Sequence, residues 1–163
     1  MLDLKEVKEY AIKRHSDQKY GDKPYSYHLS QVADILLEFG FDSKEYQTVA
    51  WFHDILEDTP TTFSELEDKF GREIAYYVNR LTDEPGKNRK ERKSKTYSKI
   101  REFDFTIYVK VADRIANVRN SIKDNRSLFK MYLKEHSEFS KQLKTESTKD
   151  HPIWKELDSL FQR

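Results

Sequence analysis

Ala50-Trp51-Phe52-His53-Asp54-Ile55-Leu56-Glu57-Asp58-Thr59 decides how the rest of this chain is read. An imidazole and a carboxylate stand side by side in an otherwise apolar stretch with helical spacing. Burying ionisable groups costs free energy unless a partner compensates, and a bound divalent metal is such a partner. Upstream lies His28. Downstream, Asp113 sits inside Val111-Ala112-Asp113-Arg114-Ile115-Ala116-Asn117. Adjacent helical residues point about 100° apart, so a helix running through His53 lets both His53 and Asp54 reach one ion alongside it. His28 would come from the start of a second helix and Asp113 from the middle of another. Two imidazoles with two carboxylates suit Mn²⁺, Fe²⁺ or Zn²⁺, with positions left for water. Such an ion lowers the pKa of its water and polarises a phosphoryl oxygen, so metal-assisted phosphate hydrolysis is the chemistry expected.

The flanking sequence reads as helices throughout. Leu4, Val7 and Ala11 repeat at helical spacing, and Tyr20-Gly21-Asp22-Lys23-Pro24 is a turn. Leu29, Val32, Ala33, Leu36 and Phe39 define a second stripe, with Gly40 suited to its C-terminal cap. Ser43 or Asp42 caps a third helix, closed by Asp58-Thr59-Pro60 because the residue before proline avoids the α region. Thr62-Phe63-Ser64-Glu65 is a capping box for a short helix stopped at Gly71, and Arg72 to Leu81 forms the next. Pro85-Gly86 breaks the chain, and the basic segment Lys87 to Lys95 starts a solvated helix. Val109 and Val111 alone allow a strand, but the spacing through Ile107, Val111, Ile115, Val118 and Ile122 favours helix. Leu128, Met131, Tyr132, Phe139 and Leu143 mark a long helix, and Pro152 starts a last short one. No repeat and no convincing hairpin is visible. The expected architecture is all-α, a single domain over residues 1–163, with the motifs in about 1–122 and C-terminal helices in 123–163.

Composition narrows the function classes. Ten Phe, ten Tyr and two Trp supply a core for 163 residues. A formal charge of +1, from 30 basic and 29 acidic side chains, gives no global preference for nucleic acid or anionic membrane. The absence of cysteine excludes disulfides and thiolate catalysis. No signal-like apolar run opens the chain, and no segment approaches the ~20 apolar residues of a membrane span. A cytoplasmic protein with a small-molecule substrate, no membrane partner and no nucleic acid is the expectation; the oligomeric state is not legible. His15, His136 and His151 stand alone and read as structural, and Tyr132 reads as core.

The ordered His28, His53-Asp54 and Asp113 set resembles the HD phosphohydrolase superfamily. The closer likeness is to the hydrolase domains of Rel/Spo stringent-response enzymes and their stand-alone small relatives. It is carried by Gln18-Lys19-Tyr20-Gly21-Asp22-Lys23-Pro24-Tyr25-Ser26-Tyr27-His28, His53-Asp54-Ile55-Leu56-Glu57-Asp58-Thr59, Leu81-Thr82-Asp83-Glu84, Glu91-Arg92-Lys93 and Val109-Lys110-Val111-Ala112-Asp113-Arg114-Ile115-Ala116-Asn117-Val118-Arg119. The resemblance implies an HD-domain helical bundle with a buried metal site. It further implies a Mn²⁺-dependent hydrolase that removes the 3′-pyrophosphate of (p)ppGpp, without a synthetase domain. It places Glu57 and Asp58 beside the metal-bound water and Asn117 on the nucleotide sugar.

Spacing supports Glu57 independently, four residues after His53, and puts Asn117 four residues after Asp113, each pair on one helical face. A carboxylate at Glu57 can orient or deprotonate water. Arg92, in the matching part of the basic run, is expected to meet a 5′-diphosphate, although a solvated helix face is the plain alternative. RNA binding there lacks the aromatic interleaving of a single-strand platform. One departure stands out. Related hydrolases carry an Arg-Lys pair shortly before the first His ligand, whereas this chain has Lys19-Tyr20-Gly21 in a shorter loop. Lys19 is expected to take part of that pair's role in contacting the nucleotide, as a point charge and not an arginine fork. A different HD phosphohydrolase, such as a 5′-nucleotidase, therefore remains a competing reading; a non-catalytic nucleotide-binding module is the third, against which the intact ligand set with Glu57 and Asp58 speaks.

Overall fold

The computed structural model describes residues 1–162, and the fold is best followed from its longest helix. The elements are α1 (Leu4–His15), β1 (Lys19–Tyr20), β2 (Lys23–Pro24), α2 (Ser26–Glu38), α3 (Lys44–Phe52), α4 (Ile55–Asp58), α5 (Phe63–Phe70), α6 (Arg72–Leu81), α7 (Arg89–Ile100), α8 (Asp104–Asp124), α9 (Arg126–Leu143) and α10 (Pro152–Ser159). Helix α8 buries Ile107, Val111, Ile115 and Val118, the stripe expected from sequence, and also buries Asp113 and Arg114. It packs against α2, α3, α6, α7, α9 and α10, so it forms the axis of an all-α bundle. One apolar cluster runs from Val7 on α1 to Leu157 on α10, and the ionisable residues of the site are set into it. Among the described residues no helix is long and apolar enough to cross a membrane.

Local chemistry fixes most helix starts. Ser43, not Asp42, caps α3 by accepting from the Tyr46 amide at 3.1 Å. Thr62 and Glu65 form the reciprocal capping box of α5. Asn88 caps α7, Asn125 caps α9, and Pro152 occupies the first turn of α10, where no amide hydrogen is needed.

Two expectations need correction. No single helix runs through His53: α3 ends at Phe52, and the helix resumes at Ile55 as the short α4. The cause is local competition, since His53 Nδ1 bonds the Ala50 carbonyl at 2.7 Å, the acceptor a continuing helix would offer to the Asp54 amide. Asp54 consequently takes φ −106°, ψ 2°. The segment after α1 is also a minimal hairpin and not merely a turn, with Lys19 opposite Pro24 and Tyr20 opposite Lys23. Gly21 supplies the positive φ (62°) the reversal requires. Two-residue strands leave no alternation to read, and proline cannot donate to a ladder, so the pattern was silent.

Candidate metal centre

The first turn of α2, the α3–α4 break and the middle of α8 bring four ionisable side chains together. One ligand atom from each of His28, His53 and Asp113 lies within 4.8 Å of the other two, and all three residues are buried. Asp113 Oδ1 is 2.9 Å from His28 Nε2 and 3.3 Å from His53 Nε2. Asp54 Oδ2 is 3.0 Å from His53 Nε2 and 3.8 Å from His28 Nε2. The outer atoms are held in turn: the Tyr25 hydroxyl donates to Asp54 Oδ2 at 2.6 Å, and Lys110 Nζ donates to Asp113 Oδ2 at 3.0 Å.

This arrangement fits a divalent cation. The Ala50 carbonyl can only accept, so in the neutral ring, the form that ligates a metal, the His53 proton is on Nδ1 and Nε2 is the lone-pair nitrogen facing the carboxylates. That Nε2 is buried with no satisfactory hydrogen-bond partner among the described residues. Electrostatics agree. Burial alone would lower the pKa of His53, but Asp54 and Asp113 overcome it and hold the imidazole well above its ordinary value. Burial would raise Asp113, yet Lys110 and His53 hold it well below the carboxylate range. Asp54 is likewise lowered against its burial, chiefly by His53. The pocket favours positive charge at its centre, and a metal dication supplies it with the same nitrogen and oxygen donors.

Above the cluster lies a cavity of about 170 Å³ whose floor includes His28, Asp54, Glu57, Asp113 and Asn117. Its walls carry Arg89 and Lys93 from α7 and Lys110 and Arg114 from α8, with Tyr132 from α9. Each cation is anchored from behind. Lys93 bonds Asp83 at 2.9 Å, and Arg89 makes a two-bond pair with Glu135 through Nε (2.7 Å) and Nη2 (3.2 Å). Arg114 reaches Glu135 at 3.0 Å and the Tyr97 hydroxyl at 2.9 Å. Acid below and base around is the polarity wanted by a polyanion whose phosphorus meets a metal.

The residues singled out from sequence divide. Glu57 lines the cavity, carried there by α4 and not by a helix shared with His53. Its Oε1 accepts from the Asp83 amide at 2.7 Å, and burial, then the charges of Asp54 and Asp83, push its pKa up. Asp58 lies outside the cavity lining and accepts from Gln18 Nε2 at 3.1 Å; burial and the Asp54 charge raise it too. Asn117 joins the floor, donating to Asp113 Oδ1 at 3.1 Å and accepting from Tyr20 at 2.7 Å. Lys19 is exposed on β1 and does not line the cavity. Arg92 also stays outside it, while Arg89 and Lys93 of the same helix line it. The contributions of Arg89, Lys110, Arg114 and Tyr25 were not singled out. The available signals were Lys110 three residues before Asp113 and Tyr25 three before His28.

Among the histidines read as structural, His15 is buried, bonds Gln18 at 2.8 Å and stacks on Tyr25. His136 pairs with Asp158 at 2.8 Å, and His151 caps α10. Tyr132 is core, yet its ring also lies 4.8 Å from the Arg114 guanidinium at the cavity wall.

A family model described as the HD domain matches residues 8–136. The chain belongs to the HD domain family. This HD domain is 34% identical over 122 residues to the guanosine-3′,5′-bis(diphosphate) 3′-pyrophosphohydrolase MESH1 of Danio rerio, covering 72% of this chain and 68% of that protein. It is 33% identical over 122 residues to a protein of the same description from Aquifex aeolicus, of which it spans 17%. In fold it matches a solved metazoan ortholog of SpoT, described as hydrolysing ppGpp, with TM-score 0.83 at 23% identity over 98% of this chain and 93% of the other. Membership of this hydrolase family implies a divalent metal, and the buried cluster of His28, His53 and Asp113 is a group able to hold one.

Proposed function

We propose that this HD domain is a metal-dependent 3′-pyrophosphohydrolase acting on guanosine 3′,5′-bis(diphosphate) or a related hyperphosphorylated nucleotide, with Mn²⁺ as its ion. The observation that carries the reading is the convergence of His28, His53, Asp54 and Asp113 beneath a cavity walled by four cations. The names of the curated relatives in Danio rerio and Aquifex aeolicus support the substrate class.

His28, His53, Asp54 and Asp113 would hold the divalent ion, which would supply a water of lowered pKa and polarise a phosphoryl oxygen. Glu57, its carboxylate on the cavity floor, takes the proton of the attacking water. Asp58, held by Gln18 just outside, contributes negative charge next to Glu57 and orients that region. Water oxygen bonds to the phosphorus attached at O3′, the P–O3′ bond breaks, the ribose oxygen takes up a proton and pyrophosphate departs. Arg89, Lys93 and Arg114 neutralise the phosphate oxygens, and Lys110 steadies Asp113. A cavity of about 170 Å³ is small against the roughly 300–1,000 Å³ usual for ligand sites. The nucleoside extends into an adjoining cavity of about 280 Å³ that shares Asn117 and Tyr132 and is lined by Tyr20, Asn120 and Asn125.

A second reading, an HD phosphohydrolase that releases orthophosphate from nucleoside monophosphates, is favoured by one observation. The exposed Lys19 contributes no side chain to the cavity mouth where related hydrolases carry an Arg-Lys pair. Incubation with Mn²⁺ and a nucleotide panel, with chromatography of the products and metal analysis, separates the two. Pyrophosphate from a 3′-pyrophosphorylated nucleotide is the expected product. Orthophosphate from monophosphates, or no pyrophosphate from any such nucleotide, overturns the proposal.

A further inference from the structure

The two histidines of the cluster are supported differently. His53 is oriented by a hydrogen bond from Nδ1 to the Ala50 carbonyl. His28 has no equivalent, since its Nδ1 is buried without a hydrogen-bond partner among the described residues. Metal-ligating histidines almost always use the second ring nitrogen to fix ring orientation. Here a neighbouring ring does the fixing. Tyr20 lies parallel to His28, with centroids 4.7 Å apart and planes inclined by 5°, and Tyr25 meets the same imidazole edge-on at 5.6 Å.

The Tyr20 hydroxyl reaches the opposite ligand. It donates to Asn117 Oδ1 at 2.7 Å, and Asn117 Nδ2 donates to Asp113 Oδ1 at 3.1 Å. The direction of this relay is fixed from outside. Asn120 Nδ2 bonds the Ala116 carbonyl at 2.8 Å, and a carbonyl only accepts, so that end of Asn120 is the donor end. The same nitrogen lies 3.3 Å from the Tyr20 oxygen, which leaves the tyrosine proton for Asn117. A reversed Asn117 amide would turn its carbonyl oxygen toward the Asp113 carboxylate, which repels it. The hairpin that presents Tyr20 is itself tied down, because the Tyr25 amide bonds the Gln18 carbonyl at 3.0 Å across it.

We infer that Tyr20 is a positioning residue of the metal centre: its ring seats His28, and its hydroxyl, through Asn117, orients Asp113. The inference rests on the proposed ligand set. It also gives a purpose to the short Lys19-Tyr20-Gly21 loop, which lacks the basic pair of related hydrolases.

Metal affinity is the discriminating measurement, because a residue that only packs the hairpin lowers thermal stability without changing it. Mn²⁺ and Zn²⁺ affinities are measured by chelator competition on the full chain, beside the melting temperature of the metal-free protein. Tyr20→Ala, which removes ring and hydroxyl, is expected to weaken binding about 10–100-fold, the usual range for groups that orient ligands. Tyr20→Phe keeps the ring and is expected to fall between this variant and the wild type. Tyr27→Phe serves as the control: it removes a hydroxyl in the first turn of α2 whose one hydrogen bond among the described residues is from Gln31, at 3.3 Å, and leaves metal affinity unchanged. Should the wild type bind metal while Tyr20→Phe and Tyr20→Ala bind it equally well, the inference falls and the site stands. A wild type that takes up no divalent ion overturns the site and the inference together.

Discussion

Asp113→Asn in the metal-free protein tests the charge balance of the centre most directly. The native carboxylate has titratable neighbours on both oxygens: Oδ1 faces the imidazoles of His28 and His53, and Oδ2 accepts from the Lys110 ammonium at 3.0 Å. His53, whose raised pKa depends on Asp54 and Asp113, can release its proton when the carboxylate is neutralised. Lys110 cannot do so readily: its side chain is only 15% exposed, and Asp113, overcoming burial, holds its pKa above the ordinary lysine value. The amide therefore leaves a largely buried ammonium without its counter-charge, a change that costs about 3–5 kcal/mol when one partner of a buried pair is removed. At roughly 2–4 °C per kcal/mol for a chain of this size, the melting temperature should fall by about 6–20 °C. The assay is urea and thermal unfolding in chelator for Asp113→Asn, Lys110→Met and the double variant. If the penalty is an unpaired lysine, the double variant is more stable than the sum of the single losses, by about 0.5–3 kcal/mol of coupling. Additive losses, or an Asp113→Asn variant within about 0.5 kcal/mol of wild type, would refute the electrostatic account of the cluster.

Protons and metal compete for His53. Because its folded pKa is raised, its contribution to metal-free stability is complete below the unfolded imidazole value near 6.5 and is lost as pH rises through the raised folded value. Metal binding runs the other way: affinity should climb about tenfold per pH unit below that folded value and then level off, as calorimetric titration across pH would show; a flat profile contradicts the assignment. Glu57→Gln should reduce kcat about 10²–10⁴-fold with metal content unchanged, and single-turnover rates near wild type would remove Glu57 from the reaction. Since burial raises Glu57, the acid limb of the wild-type pH–rate profile should be displaced upward from where an ordinary glutamate would put it. Arg89→Ala should raise KM for a doubly diphosphorylated nucleotide about tenfold, a charge-assisted bond discounted for its partial exposure, while Arg92→Ala leaves KM unchanged; the reverse pattern would turn α7 over.

How far the sequence could be read follows from where the information lies. Leu29 to Leu36 and Ile107 to Val118 announce their helices because apolar spacing is a property of each segment alone, and both stripes are buried. The His28, His53-Asp54 and Asp113 set was legible through a family likeness and through the cost of burying such groups. The break after Phe52 was not legible, because it depends on one side chain taking one backbone carbonyl. The two-residue hairpin had no pattern to show.

The choice among Arg89, Arg92 and Lys93 is a case between these. Helix α7 is so polar that its basic run gives no phase by itself, but its buried residues Thr96, Tyr97 and Ile100 do. Stepping back from them at about 100° per residue puts Arg89 and Lys93 near the centre of the buried arc and Arg92 close to a right angle from it. The structure has the same division, with Arg89 and Lys93 on the cavity wall and Arg92 off it. Three residues at the far end of the helix thus set which cations of a uniform basic run face the phosphates. Their partners Asp83 and Glu135, one before α7 and one on α9, then fix those cations at distances no local pattern encodes.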